Sequence, residues 1–316
     1  MGRRNRRGRT VSGILLLDKP AGITSNGILQ EVKHLYFAQK AGHTGSLDPI
    51  ATGILPICLG EATKFSGFLL NADKSYRAEC QLGVVTRSAD SEGEIVRERP
   101  VEDITEDKIV EALTQFMGDI KQIPPMHSAI KVNGQPLYKL AHQGIEIERE
   151  PRPVTIYELE FVSLDSDNDK MVLDIHCSKG TYVRTLVEDI GEVLGCGAHV
   201  SGLRRTTLGP FSESDIVTID ELKQLKDEFK QQEEAELSEL NQKLDAYLLP
   251  LDSAVSDYAG VYLDRDSSYY VKQGQPVQLS GAPEEGWVRI YDDSDVFLGV
   301  GEIIDDGRVA PRRLVQ

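Results

Sequence analysis

The sequence predicts an α+β fold built on a large antiparallel or mixed sheet with flanking helices. Segments that alternate apolar and polar residues outnumber segments of helical period. They also mostly follow one another, whereas a doubly wound parallel sheet would interleave them with helices. At 316 residues the chain is long enough to close such a sheet over a substantial core.

The apolar run Ile14 to Leu17 reads as a short buried strand, and Thr24 or Ser25 caps a helix in which Ile28, Val32 and Leu35 recur at helical spacing. Residues 41–53 are rich in turn formers and read as a loop, after which Ile54 to Leu59 resumes as an apolar strand. Lys74 to Val85 alternates, with Tyr76, Ala78, Cys80 and Leu82 on one face. Thr105 caps a helix ending at Gly118. Residues 124–152 read as an exposed excursion able to lie over a ligand, with Pro124-Pro125, an Asn133-Gly134 hairpin turn and a short helix from Leu137 to His142. Two alternating strands follow, Val154 to Leu164 and Met171 to Cys177, joined by the turn-forming run 165–169. A helix from about Tyr182 to Leu194 then stops at Gly195. Residues 218–247 read as helical and acidic, with Glu233, Glu234, Glu236 and Glu239 close together. From Leu248 the texture changes to short strands at 277–279, 287–291 and 296–304 between Gly and Pro turns. The expected division is therefore a large domain over 1–250 and a small β-rich module over 251–316.

No apolar run approaches the roughly 18 residues of a membrane helix. The N-terminal arginines followed by Val11 to Leu17 imitate a signal peptide, but Asp18-Lys-Pro20 interrupts the run and no small-residue cleavage site follows. Four cysteines (58, 80, 177 and 196) and six histidines form neither a disulfide framework nor a metal-ligand spacing, so a reducing cytoplasm is expected. The net charge of −16 argues by itself against a nucleic-acid partner. Its distribution does not: residues 1–80 hold eleven lysines and arginines against six acids, which leaves the remainder strongly negative. The arginine tail fits a solvated terminus or an RNA-contacting arm equally well.

Two segments stand out chemically. Gly42-His-Thr-Gly-Ser-Leu-Asp48-Pro49 sets a carboxylate in a glycine-rich loop, where it serves either as a turn former or as a group presented to a ligand. Lys179-Gly-Thr-Tyr-Val-Arg-Thr185 sets Arg184 at a helix start, the end where the helix dipole disfavours a cation. Such an arginine wants a partner, either in a surface ion pair or as a buried carboxylate that it keeps ionised. Tyr76 and Tyr182 are suited to stacking on a base or to half-buried packing. His43 suits a phosphate contact or an ordinary loop position, and Leu203 of Gly202-Leu-Arg-Arg205 suits core or pocket wall. No phosphate-cradling glycine fingerprint is present.

Leu17-Asp-Lys-Pro20, Ala41 to Gly53, Ser178-Lys-Gly-Thr-Tyr-Val-Arg184 and Gly197-Ala-His-Val-Ser-Gly-Leu-Arg-Arg205, taken together and in this order, closely resemble the bacterial tRNA pseudouridine-55 synthases, the TruB family. The resemblance covers nearly the whole chain. It implies the pseudouridine synthase fold, with a small RNA-binding PUA module at the C-terminus. It also implies isomerisation of one uridine in the T-arm loop of tRNA: the base is flipped out, its N-glycosidic bond broken, and the base rejoined through carbon. No metal, nucleotide or redox cofactor is implied, and the expected partner is tRNA alone, without membrane or obligate protein partner, for a monomeric cytoplasmic enzyme. By the same resemblance Asp48 is the catalytic aspartate, Arg184 pairs with it, and Tyr76 stacks on the target uracil. Tyr182 and Leu203 are implied to contact the flipped nucleotide, and His43 to lie near the displaced bases. Two rival readings are a guide-RNA-dependent pseudouridine synthase and a non-catalytic RNA-folding chaperone.

Overall fold

The computed structural model describes residues 7–132, 134–141, 143–230 and 237–315. Arg3, Arg4 and Arg6 of the N-terminal tail, Asn133 of the expected hairpin turn, His142 at the expected helix end, and Glu233, Glu234 and Glu236 of the acidic stretch lie outside these residues.

The chain runs through β1 (Gly13–Lys19), α1 (Ser25–Leu35), β2 (Ala41–His43), β3 (Ala51–Leu59), α2 (Ser66–Asn71) and β4 (Lys74–Leu82). Next come β5 (Val84–Thr86), β6 (Ile95–Glu98), α3 (Glu106–Leu113) and β7 (Gly118–Gln122). The excursion holds β8 (Lys131–Val132), β9 (Gln135–Pro136) and α4 (Leu137–Ala141). It is followed by β10 (Arg152–Asp165), β11 (Lys170–Cys177), α5 (Val183–Leu194) and β12 (Ala198–Leu208). After β13 (Phe211–Ser212), β14 (Val217–Thr218), α6 (Ile219–Lys230) and α7 (Leu237–Asp245), the chain ends in β15 (Ala259–Tyr262), α8 (Arg265–Lys272), β16 (Gly286–Tyr291), β17 (Phe297–Ile303) and β18 (Val309–Leu314). The main sheet has ten strands, eight of them in the order β14-β1-β3-β12-β4-β11-β10-β7. Its pairings are antiparallel except at β1 with β14 and β3 with β12 among those with a defined register, so the expected α+β class with a mixed sheet holds.

The chain divides into two compact units, one of Met1–Leu47, Ile54–Asn71 and Gly209–Gln316, the other of Asp48–Gly53 and Ala72–Leu208. In the second unit the alternation read from Lys74 onward is realised in β4, which buries Tyr76, Ala78, Cys80 and Leu82. Its neighbour β11 buries Met171, Leu173, Ile175 and Cys177 on the same principle. Helix α5 buries Val183, Leu186, Val187 and Ile190, each such side chain contributing roughly 1.5–3 kcal/mol by leaving water. The single expected strand from Lys74 to Val85 is broken at Gly83, whose φ of 82° lies in the left-handed region, and the chain then turns into the β5–β6 hairpin.

The region expected as a loop over 41–53 is strand at both ends. Ala41–His43 pairs with Ile57–Leu59, and Ala51–Gly53 runs parallel to Leu203–Arg205 of β12. Turn-forming composition hid these pairings because their partners are distant in sequence. In the first unit the cap expected at Thr24 or Ser25 is Thr24, which accepts from the Gly27 N–H at 3.0 Å. The C-terminal strands expected at 287–291 and 296–304 are β16 and β17. Residues 277–279 form no strand and contribute only the bridge of Val277 to Val309. This segment has its own core, including Val261, Leu263, Val271, Val288, Ile290 and Val309. Phe65 and Phe68 of the same unit pack on Phe297 and Trp287, with ring centroids at 5.4 and 5.1 Å.

Candidate active site

Asp48 opens a tight turn closed by the Ala51 N–H donating to its carbonyl at 3.1 Å. Proline at 49 suits that turn, and β3 begins at Ala51, directly opposite Leu203 of β12. The turn is held in register by close backbone approach. Gly53 has φ of 95°, and a Cβ there would sit 2.3 Å from the carbonyl oxygen of Arg205.

Arg184 arrives from the first turn of α5, and its Nε stands 3.0 Å from Asp48 Oδ2. The pairing that the helix-start arginine called for is therefore present. The guanidinium does more than make one bridge: Nη1 donates to Asp90 Oδ2 at 2.9 Å and to the Ser88 carbonyl at 3.0 Å, while Nη2 donates to the His127 carbonyl at 2.8 Å. The side chains of Arg184 and Asp90 are 7% and 4% exposed, whereas that of Asp48 is 40% exposed. Asp90 is itself fixed by the Ser88 hydroxyl at 2.5 Å and the Glu92 N–H at 3.1 Å. Between Ser88 and Asp90, Ala89 takes φ of 56°, a left-handed conformation that a residue with a Cβ adopts only when its surroundings hold it there. The result is a rigid, buried cation presenting one carboxylate outward.

Tyr76 lies on β4 opposite Arg205 of β12, and its hydroxyl is hydrogen-bonded by that buried guanidinium. Burial pushes the phenol pKa upward, Arg205 works against that shift, and the Asp48 carboxylate adds to it. Tyr182 is the cap residue of α5, and burial likewise raises its phenol pKa, with the Ser128 hydroxyl and the cations Arg152 and Arg184 opposing. Leu203 is half-buried on β12, opposite both Ala51 and Ala78. Asp48, Tyr76, Tyr182, Arg184 and Leu203 thus all belong to one compact unit. His43 belongs to the other, on β2 opposite Ile57.

Chemically, a partly exposed carboxylate paired with a buried guanidinium suits nucleophilic attack on carbon or stabilisation of positive charge in glycosidic cleavage. Among the described residues no group of three or more His, Cys, Asp or Glu side chains is arranged to hold a metal ion, and no helix is long and apolar enough to cross a membrane.

Residues 33–183 match the TruB family pseudouridylate synthase (N terminal domain), residues 184–256 the tRNA pseudouridylate synthase B C-terminal domain, and residues 259–315 Pseudouridine synthase II TruB, C-terminal. The tRNA pseudouridine synthase B of Serratia proteamaculans (strain 568) is 54% identical over 316 residues, covering 100% of this chain and 98% of that one. The chain belongs to the TruB family. A second member, tRNA pseudouridine synthase B of Coxiella burnetii (strain Dugway 5J108-111), is 53% identical over 309 residues, covering 98% of this chain and 96% of its own. Beyond the TruB family proper, the chain is similar to one in the crystal structure of a Cbf5-Nop10-Gar1 complex, with a TM-score of 0.72 and 26% identity over 96% of this chain and 84% of that one.

Against this TruB background, sequence reasoning missed Asp90, Ser88, His127 and Arg205 as parts of the site. Asp90 sits in Arg87-Ser-Ala-Asp-Ser-Glu-Gly93, a run whose composition reads only as a turn. Arg205 was visible as one of two strand cations, but its contact with Tyr76 depends on the register of β12 against β4.

Proposed function

We propose that this protein isomerises a uridine of tRNA to pseudouridine, at position 55 in the T-arm loop, with Asp48 as the catalytic carboxylate. The observation that carries this reading is the Arg184 guanidinium bridging an outward-facing Asp48 to a buried Asp90. A bare aspartate in a loop would be solvated and mobile; this one is anchored from behind by a cation that cannot lose its charge. Flipping the uridine out of its stack costs a few kcal/mol, and a tyrosine face in the pocket recovers part of that. Tyr76 takes this role, with Tyr182 and Leu203 lining the nucleotide and His43 meeting displaced bases or phosphate.

In this reading residues 1–250 form the catalytic domain, with the excursion at 124–152 contacting RNA, and residues 251–316 form a PUA-like RNA-binding module. The enzyme acts as a cytoplasmic monomer on tRNA alone, without cofactor. Its basic N-terminal section faces RNA phosphates, so affinity falls steeply as salt rises.

The test is tritium release from a T-arm stem-loop labelled at uracil C5, using purified wild-type and Asp48→Asn protein with no metal or guide RNA. Release by the wild type and none by the variant is the expected result. Tight binding without release by the wild type would point instead to a chaperone or a guided complex.

A further inference from the structure

Gln122 ends β7 and is 3% exposed, so its side-chain amide needs partners inside the protein. Both ends of that amide go to the backbone of a single residue. The Tyr182 N–H donates to Gln122 Oε1 at 2.7 Å, and Gln122 Nε2 donates to the Tyr182 carbonyl at 3.0 Å.

The place of that residue gives the contact its meaning. Tyr182 is the N-cap of α5 and supplies no side-chain cap of its own, while its carbonyl also accepts the helix bond from the Leu186 N–H at 3.1 Å. Helix starts leave backbone N–H groups in need of partners and are normally closed by a Ser, Thr, Asp or Asn at the cap. Here the backbone N–H of the cap residue itself is taken by an amide 60 residues away in sequence. Two hydrogen bonds to the backbone of one residue fix its position and its rotation together, which a single bond does not. Arg184 follows two residues later, in the first turn. The chain leaving Gln122 runs directly to His127, whose carbonyl accepts from Arg184 Nη2.

We infer that Gln122 is a positioning residue for this site: its amide sets the register of the first turn of α5, and with it the aim of the Tyr182 phenol and of the Arg184 guanidinium toward Asp48. The inference rests on the reading of Asp48 and Arg184 as the catalytic pair. Methionine at 122 keeps length and apolar volume but removes both bonds. Glutamate keeps the shape and, when ionised, can only accept, so it leaves the Tyr182 carbonyl facing a negative charge. When protonated, the same carboxyl both accepts and donates and restores the pair. Burial and that carbonyl both favour the protonated form, while Arg152, the register partner of Gln122 between β7 and β10, favours the ionised one, so a falling pH is what restores the donor.

The experiment is single-turnover tritium release and equilibrium binding on the T-arm stem-loop for full-length wild type, Gln122→Met, Gln122→Glu and Arg184→Ala. Gln122→Met is expected to slow the chemical step by about tenfold or more, with RNA affinity unchanged within about twofold. Gln122→Glu is expected to be similarly slow at about pH 8 and to climb back toward the wild-type rate, taken as a ratio at each pH, as the pH falls to about 6. A Gln122→Met rate equal to wild type, a loss confined to RNA affinity, or a pH-independent ratio for Gln122→Glu would each overturn the inference. If Gln122→Met does not fold, the Gln122→Glu profile decides alone. Wild-type rates in Arg184→Ala would sink the reading of the site and this inference with it. An inactive Arg184→Ala beside normal Gln122 variants would sink the positioning role only.

Discussion

Asp48 and Asp90 share one guanidinium, at 3.0 and 2.9 Å from Arg184, but only Asp48 faces outward. The asymmetry follows from their surroundings. Asp90 is enclosed and satisfied by the Ser88 hydroxyl and the Glu92 N–H, so it acts as a fixed buried anion that tethers Arg184. Asp48 keeps part of its carboxylate turned to solvent, where a substrate can displace water. The cation is therefore located from the buried side and used from the open side.

Replacing Asp90 by Asn tests that tether. The shape is kept and the charge removed, so Arg184 loses its buried counter-ion and is held by neutral oxygens and Asp48. Breaking a buried pair outright costs about 3–5 kcal/mol, and the amide recovers part of this by accepting one bond. The expected outcome is a lowered melting temperature together with a slower single-turnover rate at unchanged RNA affinity. A variant as fast as wild type would show that Asp90 serves stability only.

Arg184→Lys keeps the positive charge but loses the planar fork that reaches Asp48, Asp90 and two carbonyls at once. Its chemical step is expected to slow by about a hundredfold or more, on the scale of losing an electrostatic contact made in the transition state. Near-normal rates would mean that charge alone suffices and that the geometry of the fork is immaterial. Single-turnover kinetics under saturating RNA would separate the two.

At Gly53, substitution by Ala should damage the site through the backbone. The residue has φ of 95° and its would-be Cβ lies 2.3 Å from the Arg205 carbonyl, so β3 must move away from β12. Left-handed strain alone is worth about 1 kcal/mol, and the clash adds to it. Both the denaturation midpoint and the catalytic rate should fall, because the displaced strand carries the Asp48 turn. Loss of neither would show that the β3–β12 register has slack.

Lys74 provides a pH signature. Burial, reinforced by the neighbouring Arg205, lowers its pKa to about 8 from an ordinary 10.5. The unfolded chain therefore binds more protons than the folded one between those values, and this group's contribution makes stability rise with pH across that window. Below about 8 the burial penalty is carried in full. Lys74→Met removes the penalty, so its stability gain over wild type should be larger at about pH 7 than at about pH 9.5. Urea midpoints at the two pH values check this, and an equal difference at both would rule out the shift.

The four cysteines are all buried, and burial raises the thiol pKa of Cys58 to about 12 and of Cys177 to about 11. Thiolates are the reactive form, so at pH 8 the native protein should react with a colorimetric thiol reagent only slowly, and all four should titrate at once in denaturant. Rapid labelling of the native protein at any of them would show local opening of the core.

Much of the candidate site is legible in the sequence because its paired residues announce themselves locally. Asp48 lies in a glycine-rich turn, and Arg184 lies at a helix start where its charge demands an explanation. The α+β class is legible for a similar reason, since alternation in β4 and β11 reports directly which face is buried. The short strands Ala41–His43 and Val309–Leu314 are not, because they are made by partners elsewhere in the chain and carry little pattern of their own.

By itself, the sequence determined the longer strands and helices, the carboxylate and its arginine, and the family blocks in which both are set. These depend on local backbone preference and on the chemistry of single side chains. Only the tertiary structure decided that Asp90 shares the guanidinium, that Arg205 reaches Tyr76 across the β12–β4 register, and that the Gln122 amide pairs with the backbone of Tyr182 at the start of α5. Each of those is a pairing of buried polar groups brought together by strand register and helix docking. The need to satisfy such groups becomes a constraint only once the core has closed around them.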